Sequence, residues 1–260
     1  YWYWIEKDGK VYVPGQDETG KDLVGWAYKY ALGDGALEIK NSGNQFSFAK
    51  KKVNSKDYFF NKDGEMISKF IDVVEANVDE KGNAKIAEGM YYFGGSDDGS
   101  MKTGSQSVKD DNGDTFKFYF GTKDSATEKK GVGITGNKNN KLYYEGHLVA
   151  AEDYKYQPVT MAIDGKNYTF IVNQNGSIQH SNVEYKEDGD VLINAKGKTG
   201  AEVAFEKNGK EKYAITPATV GNVEFYVEGI DPTVVMAITG HDYVAPTDPN
   251  APTWTNALAE

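Results

Sequence analysis

Proton transfer and nucleophilic attack both need a base held beside its partner. The three histidines, His147, His180 and His241, lie far apart in sequence. None falls in a Gly-x-Ser-x-Gly or His-Glu-x-x-His pattern, so all three read as surface or strand residues. Glycoside hydrolysis needs two carboxyls at a set separation across a cleft. Here the acids gather in short polar runs instead, at Asp63, Asp97-Asp98, Asp110-Asp111, Asp188 and Asp190. Such positions suit turns, because a short carboxylate bonds nearby backbone amides. Asp110-Asp111-Asn112-Gly113-Asp114 carries enough hard oxygens for calcium to be an alternative, although it lacks the twelve-residue loop ending in Glu. The expectation is therefore no catalytic residue, no metal ligand and no cofactor.

The aromatic residues remain. Exposed Tyr or Trp rings offer flat faces on which a sugar can stack, and this chain has 18 Tyr, 12 Phe and 4 Trp. Trp2 and Trp4 alternate with Tyr1 and Tyr3, and strand alternation predicts one pair facing inward and the other outward. An outward Trp pair would form a sugar platform. Most other rings sit in triplets: Tyr58-Phe59-Phe60, Tyr91-Tyr92-Phe93, Phe118-Tyr119-Phe120, Leu142-Tyr143-Tyr144 and Tyr168-Thr169-Phe170. Aromatic runs of this kind suit a half-buried strand. Each is followed by Gly, Asn or Asp turn chemistry, and in the clearest unit, Gly89 to Gly104, by Met101 and Thr103-Gly104 as well. The triplets recur about every 24 to 33 residues, a spacing that marks repeat architectures.

This pattern, an aromatic triplet, a glycine turn, a Met and a Thr-Gly pair, resembles the cell-wall-binding repeats of Gram-positive surface proteins. That family includes choline-binding-like and glucan-binding modules, and the similarity covers about Lys56 to Ser181. It implies tandem β-hairpins stacked as an elongated solenoid, with ligand sites formed by rings of neighbouring hairpins. Carried over, it implies ligand-binding roles for Tyr91, Tyr92 and Met101, for Tyr143 and Tyr144, and for Phe59 and Met66. Trp26 follows Gly25 as the family's Gly-Trp would, while Gly104-Ser105 and Gly136-Asn137 occupy other positions of that pair. The ligand-binding candidates are thus Trp2, Trp4, Trp26, Tyr91, Tyr92, Met101, Tyr143 and Tyr144. The competing reading is that these rings only pack repeat on repeat.

Composition sets the frame for those elements. A hydrophobic fraction of 39% over 260 residues is low for one thick core and fits thin units that bury rings against neighbours. The net charge of −10, with all 29 basic residues lysine, argues against nucleic acid. Lysine on a β-rich surface serves solubility and blunts strand edges. Zero cysteine excludes disulfides and thiolate sites, and no apolar run is long enough to insert in a membrane as a helix. The start at Tyr1, without Met or leader, is expected of a mature or trimmed chain.

In order, residues 1–55 read as divergent hairpins, with turns at Lys7–Lys10, Gly33–Gly35 and Asn41–Asn44. Residues 56–216 read as the repeats, interrupted by a longer hairpin from Phe70 to Ala87 turning at Glu80–Asn83. Later turns are expected at Asp110–Asp114, Asn137–Lys141, Asp164-Gly165, Glu187–Asp190 and Lys207–Lys210. No stretch carries an amphipathic helical stripe, and Ala126–Lys130 is too short for a helix. Residues 217–245 read as a β-rich terminal unit or cap and 246–260 as a proline-rich linker or tail.

The expected protein is all-β, secreted or displayed on the cell surface, and non-catalytic. It attaches a parent protein to a cell-wall polymer or polysaccharide, its oligomeric state open. The alternatives are a structural stalk and a carbohydrate-binding accessory region of a secreted glycoside hydrolase.

Overall fold

The computed structural model describes residues 1–16, 22–32, 39–163, 166–181, 183–194, 203–207, 210–216 and 226–228. Among them every regular element is a strand paired antiparallel, and no helix occurs, as the absence of a 3.6-residue apolar stripe predicts. The chain divides into two compact units: Tyr1–Ile134 with Glu145–His147, and Thr135–Tyr144 with Leu148–Glu260.

The first unit contains β1 (Leu23–Leu32), β2 (Ile39–Asn41), β3 (Phe46–Val53), β4 (Lys56–Asn61), β5 (Phe70–Ala76), β6 (Gly89–Tyr92), β7 (Gly104–Lys109) and β8 (Thr115–Phe120). Its main sheet runs β4-β3-β1-β5-β6, with β2 also on β1. The middle of this sheet is made by long-range pairing, Gly25 opposite Ala76 and Tyr30 opposite Phe70, and not by one hairpin laid on the next. Phe70 to Ala87 is accordingly not one long hairpin. Its strand half pairs with β1 and β6, and a short hairpin, Asn77 to Lys85 with Val78 opposite Ala84, closes around the turn.

Alternation explains the triplets. On β6, Tyr91 joins Phe93, Phe59, Phe48 and Ile71 in one cluster, while Met90 and Tyr92 pack with Phe70, Phe118 and Phe120 in another. Successive side chains leave a strand on opposite faces, so an aromatic run is what a strand covered on both sides requires. The rings meet closely: Phe59 lies 4.4 Å from Phe93 and 4.5 Å from Phe48, and Phe70 lies 4.5 Å from Tyr92. Each such pair contributes about 0.5–1.5 kcal/mol beyond area burial.

The second unit begins with β9 (Gly136–Lys138) and β10 (Lys141–Tyr144), and β11 (His147–Leu148) straddles the division. It continues with β12 (Tyr156–Ile163), β13 (Lys166–Asn173), β14 (Glu184–Glu187), β15 (Asp190–Asn194), β16 (Val203–Lys207), β17 (Lys210–Thr216) and β18 (Tyr226–Glu228). β12 and β13 form a two-stranded sheet, and β14 to β18 form a meander in sequence order. Leu142, Val149, Val159, Met161, Phe170, Val172 and Ile178 make this unit's core.

One turn recurs four times. In Asn61–Glu65, Asp79–Asn83, Asp110–Asp114 and Asn173–Ser177, the first residue's N–H donates to the fifth carbonyl and its own carbonyl accepts from the fourth residue's N–H. The first residue's side-chain oxygen also accepts from the third and fifth amides, at 2.8–3.0 Å. The fourth residue is always glycine with φ between 72° and 90°, the left-handed conformation that closes a three-residue hairpin loop. Glu6–Lys10 repeats the backbone bonds with Gly9 at φ 84°. The polar runs expected as turns at Lys7–Lys10, Glu80–Asn83 and Asp110–Asp114 are therefore turns, and Asp110 Oδ1 is engaged by Asn112 and Asp114 amides.

Leu23 to Leu32 forms one ten-residue strand. The expected turns at Gly33–Gly35 and Asp164-Gly165, the centre of the turn at Lys207–Lys210, His241 and, apart from Tyr226–Glu228, the segments 217–245 and 246–260 lie outside the described residues.

Candidate functional site

The N-terminal strip is the most open aromatic surface among the described residues. Tyr1 is 92%, Trp2 58% and Tyr3 46% exposed, and Ile5 and Val11 are exposed beside them. Trp4 is half-buried, so alternation does not sort the four rings into an inward and an outward pair. The strip is held against the body by backbone. Met66 N donates to Trp2 O at 2.8 Å, Tyr3 bridges Glu65, and Tyr12 N donates to Trp4 O at 2.8 Å.

Tyr12 anchors the returning arm of this hairpin. Its ring meets the edge of Phe60 at 5.5 Å, with Lys51 Nζ 4.2 Å over the face, and Lys51 pairs with Glu6 at 2.7 Å. Burial, then the charges of Asp22 and Glu6, push the Tyr12 hydroxyl up to about 12. Short polar contacts to the Asn61–Glu65 turn thus fix the backbone of the strip while leaving its ring faces in solvent.

The other sequence-selected residues lie elsewhere. Trp26 is 40% exposed in mid-β1, and Gly25 before it is required by packing, since a Cβ there would sit 2.4 Å from Glu75 O. Tyr91 is 1% exposed, and its hydroxyl donates to Ala87 O at 2.7 Å. Burial, then Asp124, push that hydroxyl well above the usual tyrosine range. Tyr92 is half-buried, stacked between Phe70 and Phe120. Met101 is half-buried against the same cluster as Phe59 and Tyr91. In the second unit Tyr143 is buried, and Tyr144 packs half-buried against the core of Leu142 and Val149. Tyr91 and Met101 come together, with Tyr92 on the opposite face of β6; Trp2 and Trp4 share the N-terminal hairpin.

The sequence reading missed a cleft of about 750 Å³ in the first unit, lined by Lys50, Lys52, Lys85, Lys129 and Lys130. Lys50 and Lys52 share one face of β3, while Lys51 between them turns to Tyr12. Asp57 stands opposite Lys52 in the β3–β4 register and is only 5% exposed. Its carboxylate accepts from Lys130 Nζ at 3.2 Å, and it lies 3.2 Å from Lys52 and 3.9 Å from Lys50. Burial alone would raise the Asp57 carboxyl. The hydrogen bond from Lys130, the charge of Lys50 and the hydrogen bond from Lys52 outweigh it and hold the group below the usual carboxylate range.

Lys129 and Lys130 reach the cleft on a loop closed by its own polar groups. Glu128, 7% exposed, accepts from the Thr122 amide at 2.9 Å and hydroxyl at 3.0 Å, and Lys130 N donates to Asp124 Oδ1 at 3.0 Å. The only sequence signals for this cleft were the pairs of lysines themselves, which strand-edge protection explains equally well.

His147 is 6% exposed against Phe118 at 5.1 Å, and exposed His180 bonds Asn140. No family model matches this chain, and no curated protein matches it in sequence.

Proposed function

We propose that this chain is a non-catalytic extracellular module that attaches a surface or secreted protein to the bacterial cell wall or to a glycan. The observation that carries this reading is the strip Tyr1-Trp2-Tyr3, three neighbouring rings open to solvent on a backbone tied to the Asn61–Glu65 turn. Monomeric proteins rarely leave large apolar rings clustered in water without a partner for them. Flat rings with a polar edge match the apolar face and hydroxyl rim of a sugar.

The resemblance to cell-wall-binding repeats supports the same reading. The proposal includes the tandem hairpin solenoid of that family as the origin of the recurring Asx-x-x-Gly turns. Trp26 is a secondary contact in this scheme, and Tyr91 and Tyr143 support the frame from inside it.

A structural stalk is the second reading, favoured by the burial of the triplet rings Phe59, Tyr91 and Phe93. Retention on purified cell walls and on insoluble α-glucans separates the two. Attachment predicts that the folded chain is depleted from solution by at least one of these materials. A folded chain retained by neither leaves the stalk.

A further inference from the structure

We propose that the lysine-lined cleft of the first unit is a binding site for a phosphate ester. The inference goes beyond the attachment reading and uses none of the N-terminal rings on which that reading rests.

The charge distribution is the starting point. The chain carries a net −10, yet five lysines and two aspartates line this cleft, a local surplus of three positive charges. Lysines kept only for solubility would spread apart, because like charges repel at close range. Here Lys50, Lys52 and Lys130, from two distant parts of the chain, converge within 4 Å of the Asp57 carboxylate, which compensates one of their three charges. Asp57 is a positioning residue: nearly buried, it holds three of the ammonium groups together at the cleft. Asp124, the second acid, has one carboxylate oxygen engaged by the Lys130 amide. A dianion seated among these lysines removes most of the remaining repulsion.

Chemistry selects phosphate among anions. Recognition of a planar carboxylate favours the guanidinium fork, and this chain has no arginine. Ammonium groups act as point charges, which suits the tetrahedral oxygens and near-double charge of a phosphate monoester. The cleft volume also exceeds what inorganic phosphate alone needs and falls within the range of small-molecule sites. Ala84, Ile86 and Ala87 line the cleft beside the lysines and offer apolar side chains against which the organic part of an ester can lie.

Calorimetric titration of the full chain at pH 7 and low ionic strength tests the proposal, with inorganic phosphate, glycerol 3-phosphate and glucuronate as probes. The two phosphate probes should each saturate one site, glycerol 3-phosphate the tighter, and binding should weaken as sodium chloride is raised. The double variant Lys52→Gln with Lys129→Gln removes two lining charges and leaves Asp57 paired with Lys50 and Lys130. It should bind phosphate at least about tenfold more weakly while still unfolding in one cooperative transition. No saturable phosphate binding, or a folded double variant that binds as the parent does, would overturn the site. Glucuronate bound as tightly as glycerol 3-phosphate would overturn the phosphate assignment. Separately, loss of wall or glucan retention by variants of Trp2 and Tyr3, with phosphate binding intact, would show the two sites to be independent.

Discussion

The rings of the N-terminal strip and the rings of the triplets are the same residue types on the same kind of strand, yet they have opposite surroundings. Phe59 and Phe93 are wholly inaccessible and Tyr91 nearly so, because their rings pack on one another in one cluster and, on β6, a second cluster covers the opposite face. Tyr1, Trp2 and Tyr3 pair along one edge only, through a bridge and a few backbone bonds to the Asn61–Met66 segment. The difference lies in what covers the strand and not in its composition. An aromatic run is a stability element when it is layered and a contact surface when it is not.

The largest effect expected from that contrast is Phe59→Ala. It removes contacts to Phe48, Tyr91 and Phe93 at the centre of one cluster, at a cost of about 3–5 kcal/mol read by urea unfolding. A cost under about 1 kcal/mol would break the comparison from the buried side.

Two copies of the same turn give the next contrast. Gly64 and Gly113 share a left-handed backbone, but a Cβ on Gly64 would lie 2.3 Å from Tyr12 O whereas one on Gly113 meets nothing within 4 Å. Gly113→Ala should cost about 1–2 kcal/mol from backbone strain alone. Gly64→Ala should cost more and expose residues 1–16 to limited proteolysis. Equal costs and equal cleavage would show that the strip is not seated on the Asn61–Glu65 turn.

Acid gives a smaller effect. Asp57 and Asp98 are both held below the usual carboxylate range: burial opposes this in each, and lysine contacts at Asp57, and Lys102 with Ser100 at Asp98, prevail. A carboxyl whose folded value is depressed contributes its full stability above the unfolded value of about 3.9, and loses it as pH falls through the folded value. Stability should therefore decline below about pH 4, and Asp57→Asn should be destabilised by about 1–2 kcal/mol at pH 7 with a shallower acid slope. A parent-like acid slope in that variant would remove Asp57 from the account. Smallest of all, Trp26→Ala should change stability by less than about 1 kcal/mol and reduce retention less than changes at Trp2 and Tyr3.

The local chemistry of this fold is legible in the sequence, and the pairing is not. Asp, Asn and Gly at fixed offsets mark the turns, because an Asx side chain and a left-handed glycine act within five residues. The all-β character and the strand status of the triplets follow from residue type and period. Nothing local announces that β1 pairs with β5, since register across some 45 residues is chosen by which layers form, and the tandem-hairpin reading could not foresee it. The same limit applied to the rings. Alternation tells that Tyr91 and Tyr92 face opposite ways, but not that both faces of β6 are covered. It likewise could not bring Lys50, Lys52, Lys85, Lys129 and Lys130 to one cleft.

The most direct measurement of the central claim is a depletion isotherm on purified cell walls and insoluble α-glucan, comparing the parent chain with a Trp2→Ala, Tyr3→Ala double variant. The account predicts saturable binding by the parent to at least one material. The variant should bind at least about tenfold more weakly while unfolding within about 0.5 kcal/mol of the parent. Undiminished binding by a folded variant, or no binding by the parent to either material, would contradict it.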